Sequence, residues 1–154
     1  MKLDIGGSET IPTSVESLWV ALNDPAVLTR CIPGCKSMTE TLPDSYKVEM
    51  QLRVAAVGGT FEGAVSLSDK DEPKSCNIQV SGSGSIGHGT GTARFDIEPD
   101  GEGAKLIYKG NGEIGGLVAG VGQRILTSVS KHLIGRFFVA LRKEFEASAN
   151  KAAG

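Results

Sequence analysis

Tyr46-Lys47-Val48-Glu49-Met50-Gln51-Leu52-Arg53-Val54 decides the fold class. Apolar residues occupy every second position, the period of a strand with one buried face. The same period recurs downstream. Gly58-Gly59 predicts a hairpin turn, and Phe61, Val65 and Leu67 continue on its far side. Asp71-Glu72-Pro73-Lys74 predicts the next turn and leads into Cys76, Ile78 and Val80. A glycine-rich corner is expected at Gly82–Gly89, followed by Ala93, Phe95 and Ile97. Asp100-Gly101 turns again before Leu106 and Tyr108. The stretch from Lys36 to Glu113 therefore reads as an antiparallel meander of about six strands joined by short turns.

Upstream, Leu3, Ile5 and Ile11 predict a first strand. Thr13 with Glu16 forms a capping-box pattern, with Ser14 as the alternative cap, ahead of a helix that carries Val15, Leu18, Trp19 and Leu22. Asp24-Pro25 opens a second short helix, with Asp24 as N-cap and Pro25 at the first helical position, and Pro33-Gly34 ends it. Beyond Gly115-Gly116 the period becomes helical, with Val118, Val121, Ile125, Val129 and Leu133 on one side. Nothing but Gly135 interrupts that pattern until about Ala149. A helix this long in a small domain is stabilised by lying across the sheet. The expected fold is α+β: a seven-stranded curved antiparallel sheet gripping a long C-terminal helix, with two short helices after strand 1. One domain is expected over 1–150, with a short flexible tail at 151–154.

The composition sets further bounds. The chain has 154 residues, 40% of them hydrophobic, enough for one core without disulfides or metal. No apolar run approaches the roughly 20 residues of a membrane span, and the N-terminus lacks a signal-peptide core. A cytoplasmic protein is expected, and Cys31, Cys35 and Cys76 are read as free thiols. The net charge is −2, yet residues 124–151 carry six basic side chains against two acidic ones. A basic segment on an acidic body excludes general nucleic-acid binding and fits an anionic membrane surface or an acidic partner.

Motifs with chemistry are sparse. Gly82-x-Gly84-x-x-Gly87 has the letters of a dinucleotide fingerprint but lies between two strand patterns. His88 and His132 lack companions at metal-ligand spacing, and Cys31-x-x-x-Cys35 lacks a second pair. No cofactor, metal or catalytic constellation is expected. Two features remain. Gly115 to Gly122 reads as close helix–sheet packing or as a pliable apolar gate. In addition, Ile134, Phe137, Phe138, Leu141 and Phe145 lie about 130° around the helix from the first stripe. They either cover the short helices or form a membrane or partner contact, Ile134, Phe137, Phe138 and Leu141 with Arg136, Arg142 and Lys143 beside them.

Several of these segments, taken in order, resemble the CoxG family of carbon monoxide dehydrogenase subunits. They are Asp24-Pro25, Cys31-Ile32-Pro33-Gly34-Cys35, Phe61-x-Gly63-x-Val65-x-Leu67-x-Asp69, the glycines of 82–87, Gly115-Gly116, Gly122-x-Arg124 and Phe137-Phe138. The resemblance spans about residues 1–147 and extends to the START-like, pollen-allergen-type superfamily of helix-grip folds. It implies a helper of a molybdenum hydroxylase such as aerobic carbon monoxide dehydrogenase, linked to membrane recruitment. It also implies a cavity for a lipid- or quinone-like molecule.

The expected function is therefore non-enzymatic binding of a hydrophobic ligand, with possible transient contact to an anionic membrane. The expected cavity walls are Trp19, Val48, Met50, Leu52, Phe61, Val65, Ile78, Val80, Phe95, Leu106 and Tyr108, with Val121, Ile125 and Val129 from the helix. Tyr108 is the expected hydrogen-bond donor. The alternatives are a START-like cyclase or hydrolase acting in the same cavity and an interaction module with a filled core. The oligomeric state stays open.

Overall fold

A computed structural model describes the backbone of residues 1–54 and 57–153, with side chains described throughout except at 54, 57 and 147–153. Strand β1 (Lys2–Ile11) precedes helices α1 (Val15–Leu22) and α2 (Pro25–Cys31). Six strands follow: β2 (Cys35–Leu42), β3 (Ser45–Val54), β4 (Val57–Asp71), β5 (Ser75–Gly84), β6 (Gly87–Asp100) and β7 (Gly103–Gly115). A short 3-10 helix (Leu117–Val121) leads into α3 (Gln123–Ala153). The expected tail at 151–154 falls on residues whose side chains, and at 154 the backbone, lie outside those described.

The strands form one antiparallel sheet in the order β1-β7-β6-β5-β4-β3-β2. Consecutive strands are neighbours from β2 to β7, as the short turns predict, and β1 completes the sheet beside β7. Ser14, rather than Thr13, caps α1, accepting a hydrogen bond from the Ser17 amide at 3.1 Å. Asp24 caps α2 through the Ala26 amide at 2.9 Å, satisfying a donor that the helix itself leaves free.

Three local expectations are corrected. Gly58 and Gly59 lie inside β4, paired with Arg53 and Leu52, so the junction between β3 and β4 falls three residues earlier, between Val54 and Val57. The corner at 82–89 shrinks to Ser85-Ile86, because Gly82 and Gly84 belong to β5 and Gly87 and Gly89 to β6. The long helix begins at Gln123 rather than near Val118. Gly122 has φ +96°, a left-handed conformation that ends the 3-10 helix and resets the helical phase. Ile125 is consequently 46% exposed while its neighbour Leu126 is buried.

The main core lies where α1, α2 and the second half of α3 cover the sheet. Ile11, Leu18, Cys76 and Leu141 are fully buried there, among Trp19, Leu22, Cys31, Phe95, Ile97, Leu106 and Phe138. Rings interlock, with Trp19 6.0 Å from Phe95 and Tyr108 5.4 Å from Phe138. Two ion pairs fasten the end of α3: Arg142 to Glu9 of β1, and Arg30 of α2 to Glu144 at 2.6 Å. A smaller cluster of Leu3, Val118 and Leu126 lies at the opposite end of the grip.

Candidate functional site

Between the two clusters the sheet and α3 part. α3 lies against β1, the 3-10 helix and α2. Beneath the first half of α3 the central strands stand off from the helix, and a cavity of about 620 Å³ fills the gap. That volume is in the range of small-molecule sites.

The cavity follows from the side-chain alternation of β5, β6 and β7. Phe95 and Ile97 face the core, so Ala93, Gly91, Gly89 and Gly87 face the same way two residues apart. On β7 the inward positions beyond Leu106 and Tyr108 are Gly110, Gly112 and Ile114. The register places Gly91 opposite Gly112 and Gly82 opposite Gly89. Where the central strands cross beneath α3, the sheet thus presents peptide planes instead of side chains. Leu3 and Ile5 rise on one side of this floor and Ile78 and Val80 on the other. Leu126, Val129 and Leu133 roof it, and Leu52, Phe61, Ile114 and Val118 stand at the far end.

The glycines also let the sheet bend. A Cβ on Gly63 would stand 2.3 Å from the Ser81 carbonyl oxygen, and one on Gly84 2.5 Å from that of Thr60. Gly82 differs: its Cβ would meet only the Glu62 carbonyl at an ordinary 3.6 Å. Its missing side chain leaves space without being required by backbone approach.

The lining is apolar. Ser81, His88, Thr90, Thr92, Asn111 and Glu113 border the cavity but occupy the alternate phase of their strands, facing away from α3. Thr92 donates to Asn111 at 3.2 Å on that outer side. Ser130 of α3 is the inward polar side chain among the described lining residues. Its hydroxyl donates to the Leu126 carbonyl at 2.8 Å, leaving oxygen lone pairs as acceptors for a ligand donor. No group of three or more His, Cys, Asp or Glu among the described residues is arranged to hold a metal. Burial pushes the Cys31 thiol up to about 11, and raises Cys35 and Cys76 from the usual thiol range. All three are free.

Of the residues expected at the cavity, Leu52, Phe61, Ile78, Val80 and Val129 line it. Trp19, Phe95, Leu106 and Tyr108 do not; they belong to or pack against the main core, Trp19 in a tilted ring contact with Phe95 and Tyr108 in one with Phe138. Tyr108 therefore does not present a donor to the cavity; burial, and secondarily Glu9, raises its pKa. Val48, Met50 and Val65 share the strand phase of the inward residues but lie outside the cavity. Val121 packs in the small cluster, and Ile125 is turned outward by the phase reset at Gly122. The glycine floor, Leu3, Ile5, Ser130 and Leu133 were not anticipated. Their signal is the period-two spacing of glycine at 82/84, 87/89/91 and 110/112.

The second stripe of α3 is likewise corrected as a contact surface. Phe138 and Leu141 are buried, and Ile134, Phe137 and Phe145 pack against the same core. Arg142 is held by Glu9. Arg136 and Lys143 are exposed on the opposite side of the helix, beside Lys131, His132 and Val139. Among the described residues no helix is long and apolar enough to cross a membrane.

The sequence model of the CoxG family, described as a subunit of carbon monoxide dehydrogenase, matches residues 7–146. No curated protein matches. Among solved structures, a conserved protein from Geobacillus kaustophilus is 36% identical with a TM-score of 0.92, over 95% of this chain and 97% of its own. A START superfamily protein from Mycobacterium smegmatis superposes with a TM-score of 0.73 at 14% identity, over 94% and 97% of the two chains. Ara h 8.0201 does so with a TM-score of 0.69 at 17% identity, over 96% and 99%. The last two share the fold.

Proposed function

Since the chain belongs to the CoxG family of carbon monoxide dehydrogenase subunits, we propose that it is a non-enzymatic accessory protein that binds a hydrophobic molecule between its sheet and α3. The single observation that carries this reading is the apolar cavity of about 620 Å³ over a floor of glycines. A packed interaction module has no use for a hollow that removes inward side chains from three adjacent strands.

The cavity shape favours a flat or chain-like apolar ligand of the lipid or quinone class. Peptide planes below and Leu126, Val129 and Leu133 above form a slot with apolar faces. Ser130 would accept one hydrogen bond from a ligand group. No ionisable side chain faces this slot among the described residues, so a ligand held there is neutral where it is enclosed. The same observation weighs against a cyclase or hydrolase, which needs an acid, base or nucleophile at the reacting atoms. The partner supplied or relieved of this ligand would be a molybdenum hydroxylase such as carbon monoxide dehydrogenase. The single-domain organisation over 1–150 belongs to this reading.

Mass spectrometry of organic extracts from purified protein, before and after incubation with a total lipid extract, tests the proposal. The expected result is a neutral apolar or weakly amphiphilic molecule approaching one equivalent per chain. Absence of any such molecule under both conditions contradicts it.

A further inference from the structure

The outer face of α3 is not used by the fold. Ile125, Ser128, His132, Gly135 and Val139 follow one another at spacings of three and four residues, which sets them in one row along the helix. All five are exposed, whereas Leu126, Phe138 and Leu141 on the opposite side are buried. Arg124 and Lys131 flank the row on one side, and Arg136 and Lys143 on the other. Among the described residues none of these four cations is held in an ion pair. Glu146, beyond Lys143, is the acidic residue that the described part of this face carries.

The row is notched at Gly135, in a groove rimmed by Lys131, His132, Arg136, Val139 and Lys143. A Cβ at Gly135 would meet nothing within 4 Å, so no contact inside the chain requires glycine there. Glycine in a helix interior destabilises the helix relative to alanine. What it supplies in return is room for a second backbone, since small residues at a crossing let two helix axes approach to about 8 Å. Ile125 at 46% exposure and Val139 at 51% give the row apolar area on either side of the notch.

We propose that this face of α3 docks an acidic amphipathic helix of a second protein. The partner helix lies along the row, with its ridge over Gly135 and its carboxylates against Arg124, Lys131, Arg136 and Lys143. Charge complementarity selects the occupant: the cations stand on both flanks, the positions from which charged side chains bracket a packed helix pair. A second copy of this chain would set two groups of the same cations against each other. A lipid surface takes up a face of bulky apolar side chains, whereas this row has His132 and a notch between its two apolar residues. The cavity lies on the other side of α3, so a partner held here leaves it uncovered, and docking does not depend on the ligand.

Fluorescence anisotropy with two labelled three-heptad model helices tests the assignment. Both carry alanine and leucine along one row; one has glutamate on its flanks and the other lysine. The wild-type chain should bind the glutamate helix at least about tenfold better than the lysine helix, and less tightly as salt is raised. Arg136→Glu with Lys143→Glu should weaken that binding about tenfold or more. Gly135→Leu should weaken it as far while leaving the melting temperature unchanged or raised, because the new side chain is opposed by nothing in the chain. Equal affinity for the two helices, or full binding by a folded Gly135→Leu variant, overturns the assignment. A chain that ignores both helices, yet sediments as a dimer or floats with phosphatidylglycerol vesicles until Arg136→Glu and Lys143→Glu are introduced, overturns it in favour of a second copy or a lipid surface.

Discussion

Beneath α1, α2 and the second half of α3, the inward positions of β6 and β7 carry Phe95, Ile97, Leu106 and Tyr108. Beneath the first half of α3 the same two strands carry Gly87, Gly89, Gly91, Gly110 and Gly112. Hydrogen-bonding partners run without a break along both halves. What differs is side-chain volume. Where it is present, helices close on the sheet and α3 is locked; where it is absent, the helix bridges a hollow. One half of the sheet stabilises the fold, and the other is free to take a ligand.

The largest test of that contrast is truncation of the helix on either side of it. Leu141→Ala, at a fully buried position, should cost about 2–5 kcal/mol in urea unfolding. Val129→Ala, which faces the cavity, should cost about 1 kcal/mol or less, because little close packing is lost there. Equal losses would mean that both halves are packed alike.

Cys31 sharpens the contrast from the packed side. Its pKa of about 11 means that the thiol stays protonated through neutral and mildly alkaline pH. Near pH 8 the reactive thiolate is then about a hundredfold scarcer than for an ordinary thiol of pKa near 9. Native-state alkylation kinetics should show at least that retardation, and the rate should keep rising with pH toward 11. A rate that levels off near pH 9 would contradict the burial.

From the hollow side, Gly82→Leu puts a side chain on the floor where a Cβ meets nothing closer than 3.6 Å. Stability should move by no more than about 1 kcal/mol, and hydrophobic-ligand affinity should fall at least about tenfold. The smallest expected effect is none: a chelator should leave the melting temperature unchanged, since the fold rests on its core.

The strands of the meander were legible because alternation survives in most of them, though not in β2, which carries two register shifts, and the short helices because Ser14, Asp24 and Pro25 mark their starts. The cavity was half legible. Leu52, Phe61, Ile78 and Val80 follow from strand period alone. Period does not say how far along a strand the filled core ends, so Phe95, Leu106 and Tyr108 were placed in a space that they close. The glycines from 82 to 89 read as a corner because their flexibility is the more familiar property; their alternate spacing was the overlooked clue. On α3 the error was phase: Gly122 separates Val118 and Val121 from the helix, and the extrapolated stripe lands on exposed Ile125. The Phe-rich stripe was legible as a second face, covered by the short helices or left as a contact surface; period alone does not choose between these, because the choice depends on α2 docking there, fastened by Arg30 and Glu144.

The most direct measurement is titration of the wild-type chain and Val80→Trp with an environment-sensitive hydrophobic fluorophore. Val80 lines the cavity and is 44% exposed, so a larger ring there has room without displacing the core and takes up ligand space. Saturable binding by the wild-type chain, lost in a Val80→Trp variant that melts like the wild type, is the predicted result. Binding at full strength by that folded variant would contradict the claim that the hollow half of the grip is the ligand site.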